Sequence, residues 1–225
     1  MTEKRFDIFP TPLWVGNFYN KDMIEDINKL SYEFRENTTE AALLSDSWNH
    51  NEMSSSMEDF KRKGVTSFAS ADLVNLWQWR TITNCLHTCC KELLNDEWDI
   101  PEDGQYVAAG MRLSRLWTTI YSKDCFVPEH IHSNSLLSGI YYTKTPENCG
   151  DVVFRDPSWV AKSVCNPNGS QFPSGGTNQN FTPNEGDLLL FPSWLPHFSE
   201  PNKNEEDRIM VAFNLDFTIT PEKLK

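Results

Sequence analysis

From Arg208 the chain reads R-I-M-V-A-F-N-L-D-F, and neighbouring positions have opposite character. Ile209, Val211, Phe213, Leu215 and Phe217 form one wholly apolar set, while Arg208, Met210, Ala212 and Asn214 form a mixed one. Successive side chains of a strand point to opposite faces, so this segment must press one face into a core and can offer the other to a pocket. A helix would scatter both sets around its axis, and the period of two excludes it.

Strand signals of the same kind cover Tyr106 to Tyr121, Leu136 to Thr143, Asp151 to Phe154 and Asp187 to Phe191. Phe6 to Phe18, with two prolines, suits an opening edge strand. Between them the period is helical. Asn20 is a good N-cap for a helix carrying Met23, Ile24, Ile27, Leu30 and Phe34 on one face. Ser70 or Asp72 then caps a second helix, whose apolar positions run from Leu73, Val74 and Trp77 through Ile82, Leu86, Cys89 and Cys90 to Leu93 and Leu94. The pattern changes to strands after Pro101-Glu-Asp-Gly.

The expected class is therefore α+β: an antiparallel β-rich core backed by N-terminal helices. A single domain over 1–225 suits this length, with 1–100 mainly a helical support region and 105–218 the β core. The segment from Arg35 to Ala69, with His50 and the Lys61-Arg62-Lys63 triplet, reads as irregular and solvated. A second stretch, Asp156 to Glu185, is dense in Pro, Gly, Asn and Ser and reads as a long loop expected to order over a bound substrate.

A hydrophobic fraction of 39% with 12% aromatics supports a packed core rather than disorder. The net charge of -12 repels phosphate backbones, which argues against nucleic acid as a partner. The opening MTEKRFDIFPTPLWVG lacks a continuous apolar run and no longer apolar span follows, so the expectation is a cytoplasmic protein with no membrane partner. Cys85, Cys89, Cys90, Cys125, Cys149 and Cys165 form no C-x-x-C pair and read as free thiols, and His87 reads as a packing residue.

The chemistry-bearing stretch is PEHIHSNSLLSGIYY, Pro128 to Tyr142. On a strand, His130 and His132 project from one face and can aim two neutral nitrogens at one ion, with Ile131 facing away. A solvent-facing histidine pair would give the same pattern. His197, delivered by the Pro-Ser-Trp-Leu-Pro turn after the strand at 187–191, is the third candidate ligand. Arg208, a permanently charged fork on the mixed face of the last strand, suits a carboxylate, and Tyr142 can add a hydroxyl to it. Their bland readings are an ion pair with Glu205, Glu206 or Asp207 for Arg208, and a core position for Tyr142.

At this point the chain resembles the Fe(II)/2-oxoglutarate dioxygenase superfamily on its prolyl-hydroxylase-like side, and within it the short oxygenases of cyanophages and marine bacteria. The resemblance rests on FPTPLW, HIHSNSLLSGIYYTKTP, GDVVFRDP, GDLLLFPSWLPHFSEPN and DRIMVAFN, the last four covering most of Glu129 to Asn214 in order. It implies a double-stranded β-helix, jelly-roll or cupin-like, with His130, His132 and His197 as the catalytic metal ligands. It further implies that Arg208, Tyr142, Tyr121 and Asn214 bind the cosubstrate, and that the cofactors are Fe(II), 2-oxoglutarate and O2. The implied reaction is hydroxylation of a C–H bond in a small molecule or a peptidyl side chain, in the cytoplasm of the host if the gene is a phage's. The superfamily usually has Asp or Glu where this chain has His132, so a carboxylate from Asp156 or Glu129 is the alternative ligand. Two other classes share the residue pattern: a three-histidine dioxygenase of cupin type that uses no oxoglutarate, and a non-catalytic jelly-roll binding module.

Overall fold

The computed structural model describes residues 11–37, 64–68, 72–95, 111–158 and 177–217. Strands β1 (Trp14–Asn17), β2 (Val65–Thr66), β3 (Met111–Tyr121), β5 (Leu137–Lys144), β8 (Asp187–Pro192) and β10 (Arg208–Phe217) form one sheet in the order β1-β8-β5-β10-β3-β2. The second sheet is β4 (Val127–His130), β9 (His197–Ser199), β6 (Val152–Arg155) and β7 (Asn178–Phe181), in the order β4-β9-β6-β7. Every pairing is antiparallel. From β3 to β10 the chain passes back and forth between the two sheets, which is the winding of a double-stranded β-helix.

Both faces of the larger sheet are covered. Helix α1 (Lys21–Glu36) starts at Asn20, whose side chain accepts from the Met23 amide at 3.0 Å, as its residue type predicts. It buries Met23, Ile24 and Ile27, and Ser31 on the same face meets Thr118 at 2.6 Å between hydroxyl oxygens. Helix α2 (Arg80–Asn95) buries Ile82, Leu86, Cys90 and Leu94, a four-residue spacing that makes one stripe. These residues join Leu113, Tyr141, Leu188, Val211, Phe213 and Leu215 in an outer core, where each large aliphatic side chain is worth about 1.5–3 kcal/mol of burial. The inner core, between the sheets, holds Trp117, Tyr121, Ile140, Tyr142, Phe154, Leu189, Phe191, Met210 and Ala212. Strand β10 thus divides as its alternation requires: Val211, Phe213 and Leu215 outward, Met210 and Ala212 inward.

The second helix begins later than the apolar period suggests. Asp72 caps a short 3-10 turn over Leu73–Asn75, an extended Leu76 interrupts it, and a second turn over Trp77–Trp79 leads into α2. Leu73 and Trp79 are buried while Trp77 is 81% exposed, so the apolar residues here do not share one helical face. A second difference lies in the expected loop, where Asn178–Phe181 pairs with β6 as strand β7. Its polar sequence NQNF is mostly exposed and carries no apolar alternation to signal a strand. The parts of the first and second expected strands at residues 6–10 and 106–110, together with His50, the 61–63 triplet and Cys165, lie outside the described residues.

The register of β3 changes partway along. Arg115 faces Asn214 and Leu113 faces Leu215, which leaves Ser114 as the extra residue of a bulge. Leu113 and Leu116 therefore both face the helices, and Arg115, Trp117 and Tyr121 turn towards the space between the sheets.

Candidate metal centre and cavity

His130 and His197 are directly paired across β4 and β9, and His197 is also paired with Phe154 on β6. His132 follows β4, anchored by its amide to the Ser193 carbonyl at 2.9 Å. The three rings converge with centroids 4.3 Å (His130–His197), 5.0 Å (His132–His197) and 5.2 Å (His130–His132) apart. One ring nitrogen of each lies within 4.8 Å of the others, a group able to hold one metal ion.

Hydrogen bonds decide which nitrogen is available. Nδ1 of His130 lies 2.8 Å from the Pro128 carbonyl oxygen and Nδ1 of His197 lies 2.8 Å from that of Leu195. A carbonyl only accepts, so each Nδ1 carries the proton and each Nε2 keeps its lone pair. Nδ1 of His132 is 2.7 Å from both Asn214 Oδ1 and Ser138 Oγ, which fixes the same tautomer through donation to the amide oxygen. Such outer partners orient ligands and raise their basicity. Burial pushes all three imidazoles below the usual histidine range, His132 to about 4 and His197 to about 3, so all are neutral at neutral pH.

The carboxylate alternatives are engaged elsewhere. Asp156 Oδ1 accepts from the Ser158 amide at 2.8 Å and the Ser158 hydroxyl at 2.7 Å, and Asp156 stands outside both the histidine group and the cavity lining. Glu129 pairs with Arg155.

The histidines open onto a cavity of about 660 Å³ that reaches from Phe68 and Arg115 at one end to Arg208, Tyr121 and Tyr142 at the other. Arg208 is 1% exposed, and its Nη1 donates to the carbonyls of Cys149 (2.9 Å) and Gly150 (2.8 Å). Its guanidinium carbon sits 4.0 Å over the Tyr121 ring, and its Nε is buried with no partner among the described residues. The neighbouring acids are occupied by other cations: Glu205 by Lys123, Glu206 by Lys144 and Asp207 by Arg35. The surface ion-pair reading of Arg208 therefore fails. A buried guanidinium with an unsatisfied edge is a carboxylate receptor in the chemical sense. Burial also raises the Tyr142 hydroxyl well above the ordinary range, and that of Tyr121 less, so both remain donors.

All seven favoured site residues thus line this cavity, with Asn214 tied to His132. Sequence reasoning missed Arg115, Trp117 and Phe68 in the lining and Ser138 and Ser193, which hydrogen-bond to each other at 2.8 Å, behind His132. Arg115 and Trp117 share a strand parity with Tyr121, and that was the available signal. His87 Nε2 donates to the Met111 carbonyl, 2.8 Å away, and the described cysteines are free thiols. Among the described residues, no helix is long and apolar enough to cross a membrane.

Residues 115–214 match the family described as "Putative 2OG-Fe(II) oxygenase". Among proteins of curated function, none matches the chain by sequence. Solved structures share its fold. The non-haem alpha-ketoglutarate-dependent epimerase SnoN of nogalamycin biosynthesis is 9% identical, over 92% of this chain and 78% of its own, with a TM-score of 0.59. A viral collagen prolyl hydroxylase of Paramecium bursaria Chlorella virus-1, solved as a 2OG complex, is 10% identical over 92% of this chain and 96% of its own, TM-score 0.53. A 2OG-Fe(II) oxygenase family oxidoreductase from Burkholderia pseudomallei is 16% identical over 64% of this chain, TM-score 0.46, and the alignment spans 60% of that protein's length.

Proposed function

We propose that this chain, similar in family and fold to 2OG-Fe(II) oxygenases, is itself an Fe(II)- and 2-oxoglutarate-dependent oxygenase that uses O2 to oxidise a C–H bond of a small molecule or a peptidyl side chain. One observation carries the reading: a single cavity contains three neutral imidazoles with free Nε2 atoms and a buried arginine whose Nε has no partner among the described residues. The first suits a borderline transition metal and the second suits a carboxylate.

Fe(II) with 2-oxoglutarate would supply the oxidising chemistry, coupling decarboxylation of the cosubstrate to oxidation of the substrate. The chain's own residues position and isolate. His130, His132 and His197 would hold the metal and leave positions for oxoglutarate and oxygen. Three neutral ligands bring no negative charge, so the dianionic cosubstrate is the group that offsets the ion. Arg208 would fork onto the distal carboxylate, with Tyr142 donating its permanently protonated hydroxyl. Trp117, Ile140 and Met210 line the space between as apolar walls that exclude water.

The test is anaerobic addition of Fe(II) and then 2-oxoglutarate, followed by the visible metal-to-ligand charge-transfer band. The proposal expects a band in the native chain, none in His132→Ala, and a far higher oxoglutarate requirement in Arg208→Ala. Tight Fe(II) binding without a band would sink it in favour of the cupin-type dioxygenase. An absence of metal binding would leave the binding-module reading.

A further inference from the structure

The chain carries 32 acidic and 20 basic residues, yet the lining of the cavity contains Arg115 and Arg208 and no Asp or Glu among the described residues. The two arginines stand at opposite ends of one ladder. Arg208 faces Tyr121 and Arg115 faces Asn214, six positions further along β10, which separates their backbones by roughly 20 Å. Since Asn214 also holds His132, the metal centre lies at the Arg115 end, and Arg115 is beyond the reach of a carboxylate bound at Arg208.

The Arg115 guanidinium stacks 4.2 Å from the centre of the Phe68 ring, donates through Nη2 to the Phe68 carbonyl, and has a buried Nε with no partner among the described residues. Elsewhere in the fold Arg35, Lys123, Lys144, Arg155 and Lys203 pair with acids, whereas among the described residues Arg115 has an aromatic face and one carbonyl. A charge in that position is stabilised when an anion reaches its open edge. Around it, Phe68 (44% exposed) and Ile131 (51% exposed) present apolar surface on the cavity rim, and Trp117 packs against the rings of both Phe68 and His132. Arg115 keeps the inward parity of Trp117, Thr119 and Tyr121, and the bulge at Ser114 turns the preceding Leu113 to the helix side.

We propose that Arg115 is a substrate-binding residue and that the substrate carries an anionic oxygen group, carboxylate or phosphate, on an apolar body. The anion docks on Arg115, the body lies against Phe68, Trp117 and Ile131, and a C–H bond is thereby held at the metal. This inference rests on the oxygenase reading for the word substrate; the anion site itself does not.

The probes are 3-phenylpropionate, phenyl phosphate and neutral 3-phenylpropionamide, titrated by ligand-observed NMR into the full chain, metal-free and loaded anaerobically with Fe(II) and 2-oxoglutarate. The expected result is tenfold or more tighter binding of at least one anion than of the amide, lost in Arg115→Met, partly kept in Arg115→Lys, with oxoglutarate affinity unchanged in both. The better of the two anions identifies the headgroup. Equal binding of anions and amide by the native chain overturns the proposal, and so does an Arg115→Met variant that weakens oxoglutarate as much as the probes. Should Fe(II) and oxoglutarate not bind while the Arg115-dependent preference persists in metal-free protein, the oxygenase reading fails and the anion site stands.

Discussion

Asn214 Oδ1 lies 2.7 Å from Nδ1 of His132, so a residue of the last strand fixes the tautomer of a histidine 82 positions earlier. Ser138 reaches the same nitrogen and also contacts Ser193, giving His132 a polar support that none of the three residues supplies alone. Replacing Asn214 by Ala frees the ring to rotate or change tautomer. Metal affinity is expected to fall about 10–100-fold with the fold retained, read by metal titration alongside near-UV circular dichroism.

Arg208 has a structural and a ligand-facing edge. Arg208→Ala strands the carbonyls of Cys149 and Gly150 in the interior, and the expected cost is about 1–3 kcal/mol in denaturant melts. Arg208→Lys keeps a charge but not the fork, so it should recover stability more than oxoglutarate affinity. Equal recovery of both would show that the fork has no ligand role.

Gly150 links that arginine to the opposite sheet. Its φ is +83°, and an added Cβ would stand 2.7 Å from the Glu200 carbonyl oxygen and 2.8 Å from that of Pro201, both backbone atoms with little freedom to yield. Gly150→Ala is expected to lose about 1–3 kcal/mol of stability. It should also weaken oxoglutarate binding, because the carbonyls that seat Arg208 move with the turn. Isothermal titration of the variant with oxoglutarate checks the second effect separately from the first.

Acid should destabilise the metal-free protein. An unfolded histidine titrates near 6.5, whereas burial holds folded His132 near 4 and His197 near 3. Between these values the unfolded chain binds protons that the folded chain does not, so stability is complete above about pH 6.5 and declines as pH falls towards 4 and then 3. Melting temperatures measured from pH 7 to 4 should drop for the native chain and drop less for His197→Gln. A profile identical in the two would contradict the assignment of His197 as a buried neutral base.

The local alternation of residues 208–217, the helical stripes and the Asn20 cap were legible in sequence because each depends on the chain's own period or on a hydrogen bond within one turn. His130 and His132 do converge, although β4 ends at His130, His132 is held beyond it by its amide on the Ser193 carbonyl, and Ile131 lines the cavity instead of facing away. What the sequence could not contain was pairing. The ladder that sets His197 against His130 joins residues 67 positions apart, and only the completed sheets bring their rings together. The polar strand β7 was invisible for a related reason: its hydrogen bonds to β6 hold it there, with no apolar face to announce it. The bulge at Ser114 shows the limit most sharply, because one unpaired residue reverses which side of β3 faces the cavity, and nothing in the composition of that segment marks the change. Side-chain periodicity is a property of a segment, whereas register is a property of two segments in contact, and it was register that placed Arg115, Asn214 and the three histidines around one space.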